Sequence, residues 1–389
     1  MTALIQHQST HVTQITAEAP GAIAVLRLWG PDAVTVANRL FRPKLGTRGL
    51  IQSQPGELRL GWFGMDEVVA LIITDSNLST PPEVEIQGHG SPLLVQSILN
   101  LLQEEGIHLA DHGQYLKHQG VGWLERLALD HFQRTNAPKA AQVIWNQVDG
   151  SLRNALVEIR DLILAHDTHA AISRIDSLLL TAPWGSRLSR GFKVALAGAP
   201  NAGKSTLVNA LAGYERVLVS PVPGTTRDLV DVALTIDGWP FVVTDMAGLR
   251  DLAADPLEAA GIALARGQQS QADLVIRLFE PDAADGEIEI HASHHLTVMT
   301  KLDLISPQEA SNLPSGILGI SAKTGMGLDE LMARMIIALI PEHQSIHGLV
   351  KPVVFDTEIE ACLNQARQWI NQESAVAASW RIDELLSKP

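Results

Sequence analysis

The stretch Gly198-Ala199-Pro200-Asn201-Ala202-Gly203-Lys204-Ser205-Thr206 constrains this chain more than any other. It fits G-x-x-x-x-G-K-[ST] and stands between a predicted strand, Phe192 to Ala197, and a predicted helix, Ser205 to Ala212. Val194, Ala195 and Leu196 form the apolar centre of the strand, and Leu207, Val208 and Leu211 line one side of the helix. A glycine-rich loop between a strand and a helix N-terminus turns backbone N–H groups inward, and the helix dipole favours negative charge there. Lys204 would reach the β and γ phosphates of a nucleotide, and the Ser205 hydroxyl would ligate Mg²⁺. Taken alone, such a match also fits an ordinary βα turn.

Four further stretches follow in the order a nucleotide site requires. Pro223-Gly224-Thr225-Thr226-Arg227-Asp228 offers threonines that can join the Mg²⁺ shell and sense the γ-phosphate. Asp245-Met246-Ala247-Gly248 ends a predicted strand; Asp245 would hold Mg²⁺ through water, and the Gly248 N–H would face the γ-phosphate. Thr300-Lys301-Leu302-Asp303 ends another strand. Asp303 would accept hydrogen bonds from guanine N1–H and the 2-amino group, whereas adenine would leave that carboxylate unpaired. Ser321-Ala322-Lys323 would bond the guanine O6 through its backbone. Together these predict binding of GTP rather than ATP. Leu249 stands where a Ras-like protein carries glutamine and cannot orient the attacking water. Asn201 has a carbonyl to offer a monovalent cation, or serves the turn geometry of the loop.

Length and charge bound the rest. A chain of 389 residues predicts two or three domains. A net charge of −14 argues against broad, non-specific binding to nucleic acid. The single cysteine, Cys362, excludes a disulfide framework and fits a reducing compartment. Met1 to Pro20 lacks the basic and apolar regions of a signal peptide. The longest apolar run, Met335 to Ile340, is too short to span a bilayer. The expectation is a soluble, cytoplasmic protein.

The order of elements predicts a multidomain chain. Residues 1–112 read as an α+β domain, with strands over Ala22–Leu28, Val68–Thr74 and Val84–Gln87, and helices from Pro31 to Leu40 and from Leu93 to Leu102. His89 stands between two glycines without a second metal ligand at a suitable spacing, which weighs against a metal or acid–base role. Residues 113–189 read as helical. Residues 190–341 read as an α/β nucleotide (G) domain of Ras-like P-loop type. Asp237-Gly238 joins two of its strands as a hairpin. Arg187, Arg190 and Lys193 read as a solvated linker rather than an RNA patch. Residues 342–389 return to helix, opened by a capping box from Thr357 to Glu360, with Ile359, Leu363, Ala366 and Ile370 on one face. So short a helical tail needs a partner, which makes the G domain an insertion into a helical one.

These residues resemble the MnmE/TrmE GTPases, which modify the wobble uridine of certain tRNAs. The resemblance is carried by Pro20 to Leu28, by Val84-Glu85-Ile86-Gln87-Gly88-His89-Gly90, and by the nucleotide stretches Gly203-Lys204-Ser205, Gly224 to Asp228 and Ala247-Gly248-Leu249-Arg250. It implies that Asn201, Ser220 and Thr225 bind K⁺ in place of an arginine finger. It implies that Glu258 is the catalytic glutamate, acting through a water, with Thr226 and Gly248 beside it. It implies a homodimer formed through the N-terminal domain, with an FAD protein of the MnmG type and tRNA as partners. Arg27 and Glu85 match positions that bind 5-formyl-tetrahydrofolate. The family's Cys-x-Gly-Lys tail has no match in Leu385-Leu386-Ser387-Lys388-Pro389, and no basic residue stands at Trp123-Leu124. The expectation is therefore GTP hydrolysis with weak folate binding or none. The competing expectation is a GTP-dependent switch that has lost the modification chemistry.

Overall fold

Alternating burial along short strands builds the first sheet. The computed structural model describes residues 9–17, 20–74, 82–199, 201–214, 217–220, 231–245, 272–281, 294–340 and 351–388. Strands β1 (His11–Gln14), β2 (Ile23–Trp29), β3 (Phe41–Pro43), β4 (Arg59–Phe63), β5 (Asp66–Thr74), β6 (Glu83–His89) and β7 (His108–Leu109) lie in the order β3-β4-β5-β6-β2-β1-β7. All pair antiparallel except β1 with β7. Leu26 and Leu28 of β2, Val84 and Ile86 of β6, and Val68 and Ala70 of β5 are buried. Helices α1 (Ala33–Leu40) and α2 (Pro92–Glu104) add Val36, Ala37, Ile98 and Leu102 to the same core. The three expected strands and two expected helices are present. Strands β1, β3, β4 and β7 escape a reading of local pattern, because three of them have four residues or fewer.

The chain divides into two compact units, residues 1–121 and 122–389. Helix α3 (His112–His118), capped by Asp111, therefore falls in the first unit, past the boundary expected near 112. The second unit begins with helices α4 (Trp123–Gln133), α5 (Pro138–Val148), α6 (Ser151–Leu164), α7 (Thr168–Leu179) and α8 (Ala182–Gly185). Then come β8 (Phe192–Gly198), α9 (Lys204–Ala212), β9 (Val217–Ser220), β10 (Asp231–Ile236), β11 (Trp239–Asp245), β12 (Leu274–Phe279), β13 (His295–Met299), α10 (Pro307–Ser311), β14 (Ile317–Gly319) and α11 (Leu328–Leu339). Their sheet has the order β14-β13-β12-β8-β11-β10-β9. The five strands from β14 to β11 run parallel, and β10 and β9 continue the sheet antiparallel. Near-continuous apolar runs such as Leu274-Val275-Ile276, all fully buried, are what a parallel sheet covered on both faces demands.

Helices α12 (Thr357–Asn371) and α13 (Ala375–Leu386) end the chain and pack on α7 and α6 respectively. Ile359, Leu363, Ala366 and Ile370 are all buried there, as their spacing predicts. Cys362 is buried among them, and loss of solvent pushes its thiol up to about 11, so it packs as an apolar group. The returning chain is stitched to the earlier helices: Gln147 bonds the Lys351 carbonyl and the Val353 N–H, and the Thr181 hydroxyl accepts the Val354 N–H at 2.9 Å.

One expectation needs correction. The N-cap of α12 is Asp356, whose carboxylate accepts the Glu358 N–H at 2.7 Å, and Thr357 is already helical. An ionised carboxylate is the stronger acceptor, and the His131 ring, 3.6 Å from Asp356 Oδ2, holds it in place. The same neighbour, with the Glu358 N–H and the Arg190 charge, holds the Asp356 carboxyl below its usual range. Asp356→Ala is expected to cost about 1 kcal/mol, the scale of a lost N-cap. The cost is whole above the pKa of an unfolded aspartate, ~3.9, and vanishes as pH falls through the lower folded value. Denaturant midpoints of variant and wild type should therefore converge in acid.

Candidate functional site

The parallel strands place every described nucleotide-site residue at one edge of the second sheet. Gly198 ends β8, Asp245 ends β11, Glu280 follows β12, Thr300 follows β13, and Ser321 lies just beyond β14. Open parallel sheets bind their ligands at these carboxyl ends. The phosphate loop joins β8 to α9, with Gly203 at the N-cap in the left-handed region (φ +88) and no side chain capping the helix. Asn201 is also left-handed (φ +67), which supports the turn-geometry reason for asparagine there. Ala202 is buried, while Asn201, Ser205 and Thr206 are exposed.

Lys204 is 7% exposed and folds back over its own loop. Its ammonium donates to the Gly198 and Ala199 carbonyls, both at 2.9 Å. Thr300 is buried, and its hydroxyl lies 3.0 Å from the Ala202 carbonyl and 3.2 Å from that of Phe279. Thr300 thus tethers the end of β13 to the phosphate loop. Lys301, left-handed at φ +56, pairs with Glu280 at 2.6 Å. Glu280 was not foreseen, because nothing local in Phe279-Glu280-Pro281 marks it. The Ser321 hydroxyl, fully buried, donates to Asp303 Oδ1 at 2.6 Å and accepts the Thr324 N–H at 3.2 Å. The Ser321 hydroxyl, the Asp303 backbone N–H and the Lys323 charge hold the exposed Asp303 carboxyl below its usual range. Ala322 is half-buried and Lys323 exposed on the same turn.

The structure thus brings together Ala202, Lys204, Thr300, Lys301, Asp303 and Ser321. Asp245 and Ser220 are placed by their strand backbones, Asp245 in register with Leu196 of β8. Thr225, Thr226, Gly248 and Glu258 lie outside the described residues.

In the first unit, Arg27 and Glu85 face each other across β2 and β6. Arg27 Nε donates to Glu85 at 2.8 Å, and its Nη1 donates to Glu83 at 2.6 Å and to the Tyr115 hydroxyl at 3.1 Å. Tyr115 in turn donates to Glu83 at 2.7 Å, and Gln119 reaches the other Glu83 oxygen at 3.1 Å. Burial and the adjacent Glu83 carboxylate push the Tyr115 phenol up. Glu83 is the member that sequence reasoning missed. Its signal was the alternation Glu83-Val84-Glu85, which puts both carboxylates on one face of the strand. Arg27→Met would leave two largely buried carboxylates without their cation, at an expected cost of about 3–5 kcal/mol. The measurement is thermal unfolding, with the loss seen in the first unit. His89 is held by Asp66, whose carboxylate accepts its backbone N–H at 2.9 Å and meets Nδ1 at 2.5 Å. Among the described residues, no group of three or more His, Cys, Asp or Glu side chains is arranged to hold a metal ion.

Comparison with known proteins bears on both units. A family model described as "GTP-binding protein TrmE N-terminus" matches residues 10–119, and one described as "50S ribosome-binding GTPase" matches residues 193–304. A tRNA modification GTPase MnmE from Bradyrhizobium sp. (strain ORS 278) is 32% identical over 369 residues, covering 85% of this chain and 81% of that protein. This chain belongs to the MnmE family of tRNA modification GTPases. MnmE from Thermus thermophilus is 31% identical, covering 84% of this chain and 81% of its own. Among solved structures, the G domain of the T. maritima FeoB iron transporter is 27% identical over 38% of this chain and 98% of its own, with a TM-score of 0.29 that adds nothing to the assignment. As a member of the MnmE family, with a Ras-like P-loop domain beside a TrmE N-terminal domain, the chain is a GTP-binding and GTP-hydrolysing enzyme. Among the described residues, no helix is long and apolar enough to cross a membrane.

Proposed function

We propose that the chain couples GTP hydrolysis to modification of the wobble uridine of tRNA. The observation that carries this reading is the convergence of the phosphate loop, the Thr300 tether and the Asp303–Ser321 pair at one sheet edge, in a chain aligned with MnmE proteins over 85% of its length. Residues 190–341 then form the G domain, carried between helical segments 113–189 and 342–389 behind an N-terminal domain over 1–112. Asn201 to Thr206 hold the phosphates, Thr300, Lys301 and Asp303 the guanine side, and Ser321, Ala322 and Lys323 the guanine O6. The hydroxyls of Ser205 and Thr226, with Asp245 through water, make a hard-oxygen set suited to Mg²⁺. Once bound, the ion would neutralise charge on the β and γ phosphates. Asn201, Ser220 and Thr225 offer oxygen ligands to K⁺, and Glu258 orients the attacking water that Leu249 cannot. Hydrolysis is therefore K⁺-stimulated, and equal rates in K⁺ and Na⁺ would sink that assignment. The working form is a cytoplasmic homodimer with an FAD-dependent partner of the MnmG type and tRNA.

A second reading, a GTP-dependent switch without the modification chemistry, is favoured by one observation. Arg27 is paired with both Glu85 and Glu83. Folate binding is accordingly weak or absent, and a low-micromolar Kd for 5-formyl-tetrahydrofolate would overturn this. The deciding experiment is complementation. The chain should restore wobble-uridine modification in cells lacking their own enzyme. Failure to do so, with GTP hydrolysis intact, selects the switch.

A further inference from the structure

Helix α5 begins without a cap of its own. Its N-cap is Ala137, whose methyl side chain offers no acceptor, and its first residue is Pro138. The next N–H, that of Lys139, is satisfied by the Gly238 carbonyl at 3.0 Å. The Lys139 ammonium meets Asp237 Oδ2 at 2.7 Å, across 98 residues of sequence. Asp237 and Gly238 are the two turn residues of the β10–β11 hairpin. Both are left-handed (φ +47 and +82), as a type I′ turn requires. A Cβ on Gly238 would stand 2.9 Å from Lys139 Cγ, so hairpin tip and helix end are in close contact. Helix α5 also lies against β11. There Trp239 is buried, and its indole N–H has no hydrogen-bond partner among the described residues. A buried donor left unpaired in one arrangement is a group that a second arrangement can satisfy.

The other end of the hairpin lies at the nucleotide edge. Asp231 pairs in register with Thr244, whose hydroxyl donates to the Asp231 carboxylate at 2.6 Å. From there the chain runs directly into residues 221–230 and 246–271, which carry Thr226, Gly248 and Glu258.

We propose that the β10–β11 hairpin is a lever that makes helix α5 respond to the nucleotide. It rests on the nucleotide reading given above. A change at the γ-phosphate end is carried along paired strands, roughly 20 Å at ~3.3 Å per residue, to the Asp237-Gly238 tip. The tip moves the N-terminus of α5 through Lys139. Helix α5 passes the shift to α4 through Trp145, whose ring packs 5.2 Å from that of Phe132.

The test is hydrogen exchange on the full chain, comparing GDP with a non-hydrolysable GTP analogue. The first-turn amides of α5 should differ in protection between the two nucleotides by about fivefold or more, the scale of a local opening shifted by ~1 kcal/mol. Lys139→Glu and Asp237→Lys should each at least halve that difference. The charge-swapped double variant should restore it. Gly238→Ala, which drives a methyl group into Lys139, should abolish it. Melting temperature and GTP affinity, read on each variant, show that fold and site persist, and the restored double variant excludes a general loss of structure. Identical exchange of α5 in both nucleotides, with both bound, would overturn the lever. So would single variants that leave the difference unchanged. Failure of the wild type to bind GTP would instead overturn the nucleotide reading, and the lever with it.

Discussion

Lys204→Ala is expected to remove GTP binding and hydrolysis while leaving the fold intact. The ammonium is almost wholly buried and has two backbone carbonyls, those of Gly198 and Ala199, as its neighbours over the loop. A phosphate oxygen carries full negative charge, so its bond to the ammonium is stronger than one to a neutral carbonyl. Taking away the cation leaves the loop N–H groups and the dipole of α9 to hold the phosphates alone. The loss should be about 3–5 kcal/mol, or roughly 10²–10⁴-fold in affinity at ~1.4 kcal/mol per decade. Stability of the unliganded chain should change little, since the substitution deletes a buried charge together with its desolvation cost. Thermal melting separates the two effects. The midpoint without nucleotide should hold, and the upward shift that GTP gives the wild type should disappear. A variant that melts early without nucleotide would show that Lys204 is a structural residue.

How much of this was legible in the sequence depended on how local each feature is. The Asp237-Gly238 turn was readable because its two left-handed residues and flanking strands lie within one short window. The strand, loop and helix around Lys204 were readable for the same reason. Capping was misread by a single residue. Asp356 and Thr357 both carry an acceptor; the aspartate caps because its carboxylate is the stronger one and because His131, distant in sequence, holds it in place. Pairings set by register were invisible. Arg27 and Glu85 stand 58 residues apart and Thr300 and Ala202 stand 98 apart, so no window contains either contact. By resemblance Arg27 and Glu85 match folate-binding positions, and in the structure the one Arg27 cation is shared between Glu85 and Glu83. The Thr300 hydroxyl is directed at the phosphate loop, a contact that no local window shows.

Asp303→Asn is expected to exchange the base that the site accepts. Guanine offers two donors to this position, N1–H and the 2-amino group, and a carboxylate answers both with acceptors. An amide turns one acceptor into a donor, which then faces a donor on guanine. Xanthine carries a carbonyl at C2, so the amide of the variant can match N1–H with its oxygen and the C2 carbonyl with its NH₂. The Ser321 proton fixes which end of the amide is oxygen. Ser321 already accepts the Thr324 N–H and donates to Asp303 Oδ1 at 2.6 Å, so it selects an acceptor there. GTP should weaken by roughly 10²–10³-fold, the range for leaving a donor of a purpose-built site unpaired plus a repulsive contact. Xanthosine triphosphate should gain by a similar factor, and ATP should remain excluded in both forms. In the wild type, the Asp303 carboxyl lies below its usual range, so it is fully ionised at neutral pH and the contact to the base does not titrate there. Calorimetry with the three triphosphates reads all of this directly. A variant that binds GTP within about threefold of wild type, less than ~0.7 kcal/mol, would show that Asp303 does not read the base.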